Sequence, residues 1–172
     1  MTDWRPIGAE TWAKCERIAA GKTILARETK YANGRIWSAD ESLYRQHLHG
    51  QVGEALFSEI SRWPMKEEIS INDGGSDFPG IDVKATRYWE RPLLLRMATD
   101  SLKAPVFALV AVHEEQRRAR FVGYALREML RDAPQIEYGH GPTRTLRPDQ
   151  LLTADEVLVR LFAQTLAMPV LA

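Results

Sequence analysis

A single sheet layer flanked by helices, of the α/β or α+β class, is the fold this sequence predicts, and three observations predict it. Residues 106–112 form a near-continuous apolar run rich in valine, the pattern of a central strand buried on both faces. Ile81-Asp82-Val83-Lys84-Ala85 alternates apolar with charged residues, the period of a half-buried strand. Long stretches before and after these runs carry apolar residues at helical spacing instead, so the order is helix, strands, helix, loop, helix.

Taken in order, residues 8–20 predict a helix with Trp12, Cys15, Ile18 and Ala19 on one side. Residues 21–40 read as a polar connection with Asn33-Gly34 as a turn. A helix from Asp40 to Arg62 follows, with Val52, Ala55, Leu56, Glu59 and Ile60 near helical spacing and Pro64 closing it. Residues 67–71 alternate and predict a strand, and Asp73-Gly74-Gly75 predicts a turn. The motif strand is 81–86, and a short strand is expected at 93–96. Arg117-Arg118-Ala119 reads as a charged hairpin tip after the valine-rich strand, with 120–124 returning. Residues 125–131 predict a helix ended by Pro134. The stretch 134–150 holds three prolines and two glycines and reads as a loop over the core. Residues 154–167 predict a final helix with Val157, Leu158, Leu161, Phe162 and Leu166 on one face.

At 172 residues the chain is expected to be one domain over 1–172, with 1–40 as an N-terminal helical and loop extension. Its 45% hydrophobic and 27% charged residues are those of an ordinary soluble protein. No apolar run approaches a membrane span, and Met1-Thr2-Asp3-Trp4-Arg5-Pro6 is no signal peptide, so a cytoplasmic location is expected. The single cysteine, Cys15, excludes an intrachain disulfide and a cysteine-based zinc site. No repeat, phosphate-binding glycine loop or serine nucleophile elbow is present. The four histidines share no metal-ligand spacing; His47 and His49 lie close to Glu54 in sequence, so either a local hydrogen bond or a role as a base is open to them.

The chemistry concentrates in residues 73–86, Asp-Gly-Gly-Ser-Asp-Phe-Pro-Gly-Ile-Asp-Val-Lys-Ala-Thr. Asp77 and Asp82 flank the strong turn Pro79-Gly80. Asp82 and Lys84, two apart on a strand, share one face, and a tight turn can return Asp77 beside them. Two carboxylates suit a hard divalent cation, and a neighbouring ammonium completes the equipment of metal-assisted phosphodiester hydrolysis. The competing reading is an exposed hairpin with solvated charges. A second acid-x-lysine triplet, Glu28-Thr29-Lys30, has no strand-like surroundings. Glu54, directly after Gly53 on the 40–62 helix, is either a solvated glutamate or a carboxylate aimed at the hairpin, because small residues let a helix approach a sheet.

A helix with Gly50-Gln51-Val52-Gly53-Glu54, then an aspartate, a hairpin and Asp82-Val83-Lys84, resembles the PD-(D/E)XK, or restriction-endonuclease-like, nuclease superfamily. With Phe121-Val122-Gly123-Tyr124 added, the chain is more narrowly similar to small uncharacterised phage and prophage members, over roughly residues 45–155. The resemblance implies an α/β core with a central mixed sheet, DNA cleavage dependent on magnesium or manganese, and frequent dimerisation. Carried over by position, it implies Asp77 and Asp82 as metal ligands, Lys84 as catalytic lysine and Glu54 as accessory metal-binding carboxylate. The proline here follows the aspartate, in Phe78-Pro79, and only four residues separate the two aspartates. Asp73 is therefore a substitute for Asp77.

Charge bears on the partner. Lysine and arginine total 23 against 23 acidic residues, so the net charge is zero and the basic footprint that binds DNA by counterion release has to be local. Lys22, Arg27, Lys30 and Arg35 form one candidate cluster, and Arg87, Arg91 and Arg96 another, with Trp37, Tyr88 and Trp89 among them as stacking candidates. The expected function is a metal-dependent DNA endonuclease acting in phage or host DNA processing, with no membrane partner. The alternative is a non-catalytic module of the same fold for DNA binding or protein interaction. A homodimer is expected because two symmetric sites most simply cut both strands of a duplex, and because 154–172 is apolar enough to bury further surface.

Overall fold

The computed structural model describes residues 3–31, 40–66, 69, 76–87, 95–98, 103–137 and 142–158. The chain runs through β1 (Arg5–Pro6), α1 (Ala9–Tyr31), α2 (Asp40–Ser61), β2 (Ile81–Arg87), β3 (Leu95–Ala98), β4 (Val106–His113), β5 (Arg118–Leu126), α3 (Arg127–Asp132), β6 (Gln135–Glu137) and β7 (Pro142–Leu146). A single 3-10 turn, Pro148–Gln150, and helical residues 154–158 follow. The result is a mixed α/β structure. Its main sheet has four strands in the order β1-β5-β4-β2, and a second, three-stranded sheet has the order β3-β7-β6.

The valine-rich run forms β4, in which every residue is buried. It lies between β5, antiparallel, and β2, parallel, so the sheet is mixed. Register sorts the side chains onto two faces. Val83 and Ala85 of β2 align with Ala108 and Val110 of β4, and on this face lie Trp12, Cys15 and Ala19 of α1 and Leu48, Val52, Leu56 and Phe57 of α2. Phe107, Leu109 and Ala111 belong to the other face and pack with Leu95 of β3, Leu130 of α3 and Leu146 of β7. The main sheet is therefore covered on both sides, which is why its central strand shows no polar alternation.

Several expectations are corrected. The first helix does not end near residue 20 but runs to Tyr31, so most of 21–40 is not a connection. Its polar second half is held by packing: Thr23 is buried and donates its hydroxyl to Ala19 O at 2.7 Å, and Ala26 is also buried. The N-terminal segment thereby supplies part of the main core. Residues 134–150 are not a loop, because β6 and β7 form a hairpin that pairs with β3. The prolines misled here. Pro142 is the first residue of β7, a position where a missing N–H is tolerated. The short strand expected at 93–96 occupies Leu95–Ala98, and the helix expected at 125–131 occupies Arg127–Asp132. The strand expected at 67–71 lies outside the described residues except for Ile69, as do Asn33-Gly34, Asp73-Gly74-Gly75 and the final helix beyond residue 158. No described helix is long and apolar enough to cross a membrane.

Helix α2 meets the sheet at Gly53. A Cβ there would stand 3.1 Å from Ala85 Cβ and 3.6 Å from Val83 and Val110, whereas at Gly50 it would meet nothing within 4 Å. Gly50 therefore plays no part in the approach. Two exposed-versus-packed alanine substitutions test this. Gly53→Ala is expected to be about 1–3 kcal/mol less stable than Gly50→Ala in urea unfolding, because overpacking outweighs the helix propensity gained at both sites. Equal stabilities would show that α2 can back away from β2.

Candidate functional site

The site is built on a two-residue hairpin. Phe78 and Ile81 exchange both backbone hydrogen bonds at 3.0 Å around Pro79-Gly80, and Gly80 has φ +72°, the left-handed conformation that Pro-Gly supplies in a type II turn. Pairing 78 with 81 sets 77 opposite 82. Phe78 is buried against Phe57 of α2, ring centroids 4.9 Å apart, which ties the hairpin to the helix. Asp77 Oδ2 accepts the backbone N–H of Val83 at 2.7 Å, so a carboxyl takes the place of a ladder carbonyl. The Asp77 and Asp82 carboxyls stand within hydrogen-bonding reach of each other. Lys84 Nζ donates to Asp82 Oδ1 at 2.9 Å, with the lysine side chain 37% exposed and the aspartate 18%.

Glu54 reaches the same region from α2. The residue after Gly53, it is buried, accepts Gln51 Nε2–H at 2.9 Å and lies 4.0 Å from Lys22 Nζ of α1. Gln51 is itself buried, and its Oε1 has no hydrogen-bond partner. By register Asp82 and Lys84 belong to the sheet face opposite α2, aligned with Phe107 and Leu109. The Asp82 charge nevertheless reaches Glu54, and β2 is the outermost of the described strands in its sheet.

The electrostatics follow from burial among like charges. Burial first, then the Glu54 charge and the adjacent Asp82, pushes the Asp77 carboxyl up to about 7, against the lowering effect of the Val83 N–H. Burial also raises Glu54, with Lys22 and Gln51 opposing it. Three acids, Glu54, Asp77 and Asp82, thus share the region with Lys22, Lys66 and Lys84. Among the described residues, no group of three or more histidine, cysteine, aspartate or glutamate side chains is gathered closely enough to hold a metal ion. Asp77 and Asp82 alone form a close pair. One or two carboxylates, with water and substrate phosphate, are the usual donor set for magnesium, so the pair fits that ion without Glu54 as a direct ligand.

Of the four expected site residues, Asp77, Asp82 and Lys84 come together at one place, and Glu54 stands within electrostatic range of the two aspartates. Asp73 lies outside the described residues. His47 and His49 have other partners, and His140 lies outside the described residues. His49 Nε2 pairs with Glu114 at 2.9 Å while its Nδ1 accepts from Arg87 at 3.3 Å, and His47 Nδ1 meets Thr23 Oγ1 at 2.9 Å. The other acid-x-lysine triplet is helical, at 28–30 in α1, with Thr29 bonded to Leu25 O. The sequence places Lys22 in a surface basic cluster and gives Gln51 no role; the packing of α1 on α2 brings Lys22 to Glu54, and a contact within α2 brings Gln51. The sequence also gives no role to Trp4, which Arg118 and Arg120 stack upon at 5.1 and 5.0 Å from the ring centroid. Of the stacking candidates, Trp37, Tyr88 and Trp89 lie outside the described residues.

No protein-family model, curated protein or solved structure matches the chain.

The raised Asp77 carboxyl has a signed consequence for stability. Its folded pKa, about 7, exceeds the ordinary 3.8, so the folded protein holds a proton that the unfolded chain releases between those values. Without divalent metal, stability should decline as pH rises from about 4 to about 7 and then level. Asp77→Asn should remove that component of the slope and leave the protein more stable than wild type at pH 8, as measured by denaturant unfolding at stepped pH. Parallel curves for the two proteins would show that Asp77 ionises freely.

Proposed function

We propose that the chain is a magnesium- or manganese-dependent nuclease of the PD-(D/E)XK type, with DNA as its substrate. The observation that carries the reading is the Asp77–Asp82 pair at the edge of β2 with the Lys84 ammonium 2.9 Å from Asp82. A divalent ion on these two carboxylates would neutralise phosphate charge and lower the pKa of a bound water. The protein's own groups supply the rest. Lys84 offers donors to the attacking water or to the charge that develops on the phosphate. Asp82 holds that ammonium in place, and the Val83 N–H orients Asp77. Glu54, fixed by Gln51 and Lys22, is the accessory carboxylate and adds negative charge that favours cation binding. The mixed sheet flanked by helices and the mutual placement of these residues support membership of the superfamily; a homodimer cutting both strands accords with it.

A second reading is favoured by two observations. The chain is electrically neutral, and no three-residue metal cluster occurs among the described residues. A non-catalytic module for DNA binding or protein interaction accounts for both. A screen of plasmid, linear, single-stranded and branched DNA with magnesium or manganese decides between them.

Lys84→Ala is expected to lower cleavage at least about 100-fold while leaving DNA affinity and melting temperature nearly unchanged, since the ammonium acts mainly on the transition state. Full residual activity would remove the lysine from the mechanism. Manganese titrations should rank wild type above Glu54→Gln and Glu54→Gln above Asp82→Asn. Because Asp77 retains its proton to about 7, binding should release about one proton per ion at pH 6 and almost none at pH 8.5, read by calorimetry in buffers of different ionisation enthalpy. Proton release equal at both pH values would exclude Asp77 as a ligand.

A further inference from the structure

Asp77 forms one wall of a cleft of about 480 Å³ whose other walls include Trp63, Phe78, Pro79 and Lys66. That volume lies within the range of small-ligand pockets. Trp63 is 40% exposed, although it is the kind of residue a folded chain normally covers. Its position is built. Helix α2 ends at Ser61, and Arg62 adopts φ 63°, a left-handed conformation that helix ends normally assign to glycine. Two serine side chains then grip the Trp63 backbone: Ser58 Oγ donates to its carbonyl at 2.6 Å, and its N–H donates to Ser61 Oγ at 3.2 Å. A non-glycine residue held in this region is strained, and such outliers concentrate where the surroundings position something.

We infer that this cleft holds an unpaired nucleobase stacked on Trp63, next to the phosphate at Asp77 and Asp82, so that the substrate is a single strand or a duplex with an unpaired end or flap. The inference rests on the nuclease reading for its substrate class. Continuity favours a base as occupant, because the same residue that carries the carboxylate also lines the cleft. Charge favours it too. A neutral chain gains little by tracking a duplex backbone, whereas stacking supplies affinity without net charge. Lys66, which donates to Ser76 O at 3.0 Å, adds a positive charge to the cleft wall. A paired base has both faces covered by its neighbours, so a base must leave the stack to use Trp63.

The test is binding by the full chain, without divalent metal, to a labelled single-stranded oligonucleotide, the same oligonucleotide with abasic positions, and its blunt duplex. Trp63→Ala should weaken single-strand binding about 5- to 100-fold, with Trp63→Phe restoring most of it and duplex binding changed less than about twofold. The abasic strand should bind wild type as weakly as the intact strand binds Trp63→Ala, and the two changes should not add. If Trp63→Ala fails to fold, the abasic comparison on wild type and Trp63→Phe still decides. Equal affinity for intact and abasic strands, or equal losses on single strand and duplex, overturns the inference. A concentration-dependent dimer that Trp63→Ala dissolves, with oligonucleotide binding unaffected, would assign the cleft to a second copy of the chain and also overturn it. Trp63-dependent single-strand binding with no cleavage under any metal upholds the cleft and sinks the nuclease. Duplex cleavage indifferent to Trp63 does the reverse.

Discussion

The distance between α2 and β2 governs the rest of the structure, and one missing side chain sets it. With no Cβ at Gly53, the helix lies against Ala85, Val83 and Val110 at contact distance. Glu54 is then carried to the edge of β2 and buried there. Phe57, one turn further on, meets Phe78 and so holds the hairpin that bears Asp77. Because α1 packs on α2, Lys22 arrives beside Glu54. A larger residue at position 53 would act on all of these at once, although it touches none of the charged groups.

What that approach assembles is electrostatically unfavourable by itself. The hairpin sets two aspartates opposite each other, and like charges directly across a strand pair repel. Lys84 relieves Asp82, the Val83 N–H partly relieves Asp77, and Lys22 partly relieves Glu54. The remainder appears as a proton that Asp77 keeps to about 7. A fold selected for stability alone would not gather three acids around one strand edge. Local rules are most often broken at functional sites, where a ligand completes the charge balance.

The charge of this molecule is balanced overall. With zero net charge, attraction of a polyanion would have to come from a local patch, and some of the arginine is engaged internally. Arg118 and Arg120 stack on Trp4, and Arg117 lies over the buried Trp12. These contacts close the far end of β5. Near the carboxyl pair, by contrast, an aromatic side chain is left half exposed. Contact surfaces rather than summed charge distinguish the two ends of the main sheet.

How much of this was legible in the chain depends on the range of the interaction responsible. The valine-rich run, the alternating 81–86 strand, the extent of α2 and the reversal at Pro79-Gly80 are local matters of periodicity and turn chemistry, and sequence alone determined them. So did the meeting of Asp77, Asp82 and Lys84, which needs only a two-residue hairpin and the two-residue period of a strand. The polar second half of α1 and the strand β7, which begins at Pro142, went unread, because both are held by partners distant in sequence that override local propensity. Tertiary structure also decided that Gly53, not Gly50, touches the sheet, that Lys22 and Gln51 hold Glu54, that His49 turns to Glu114 and that Trp63 stands at the mouth of the Asp77 cleft. Each of those depends on where one helix comes to rest against another element, and that position is a sum of packing contacts that no stretch of neighbouring residues contains.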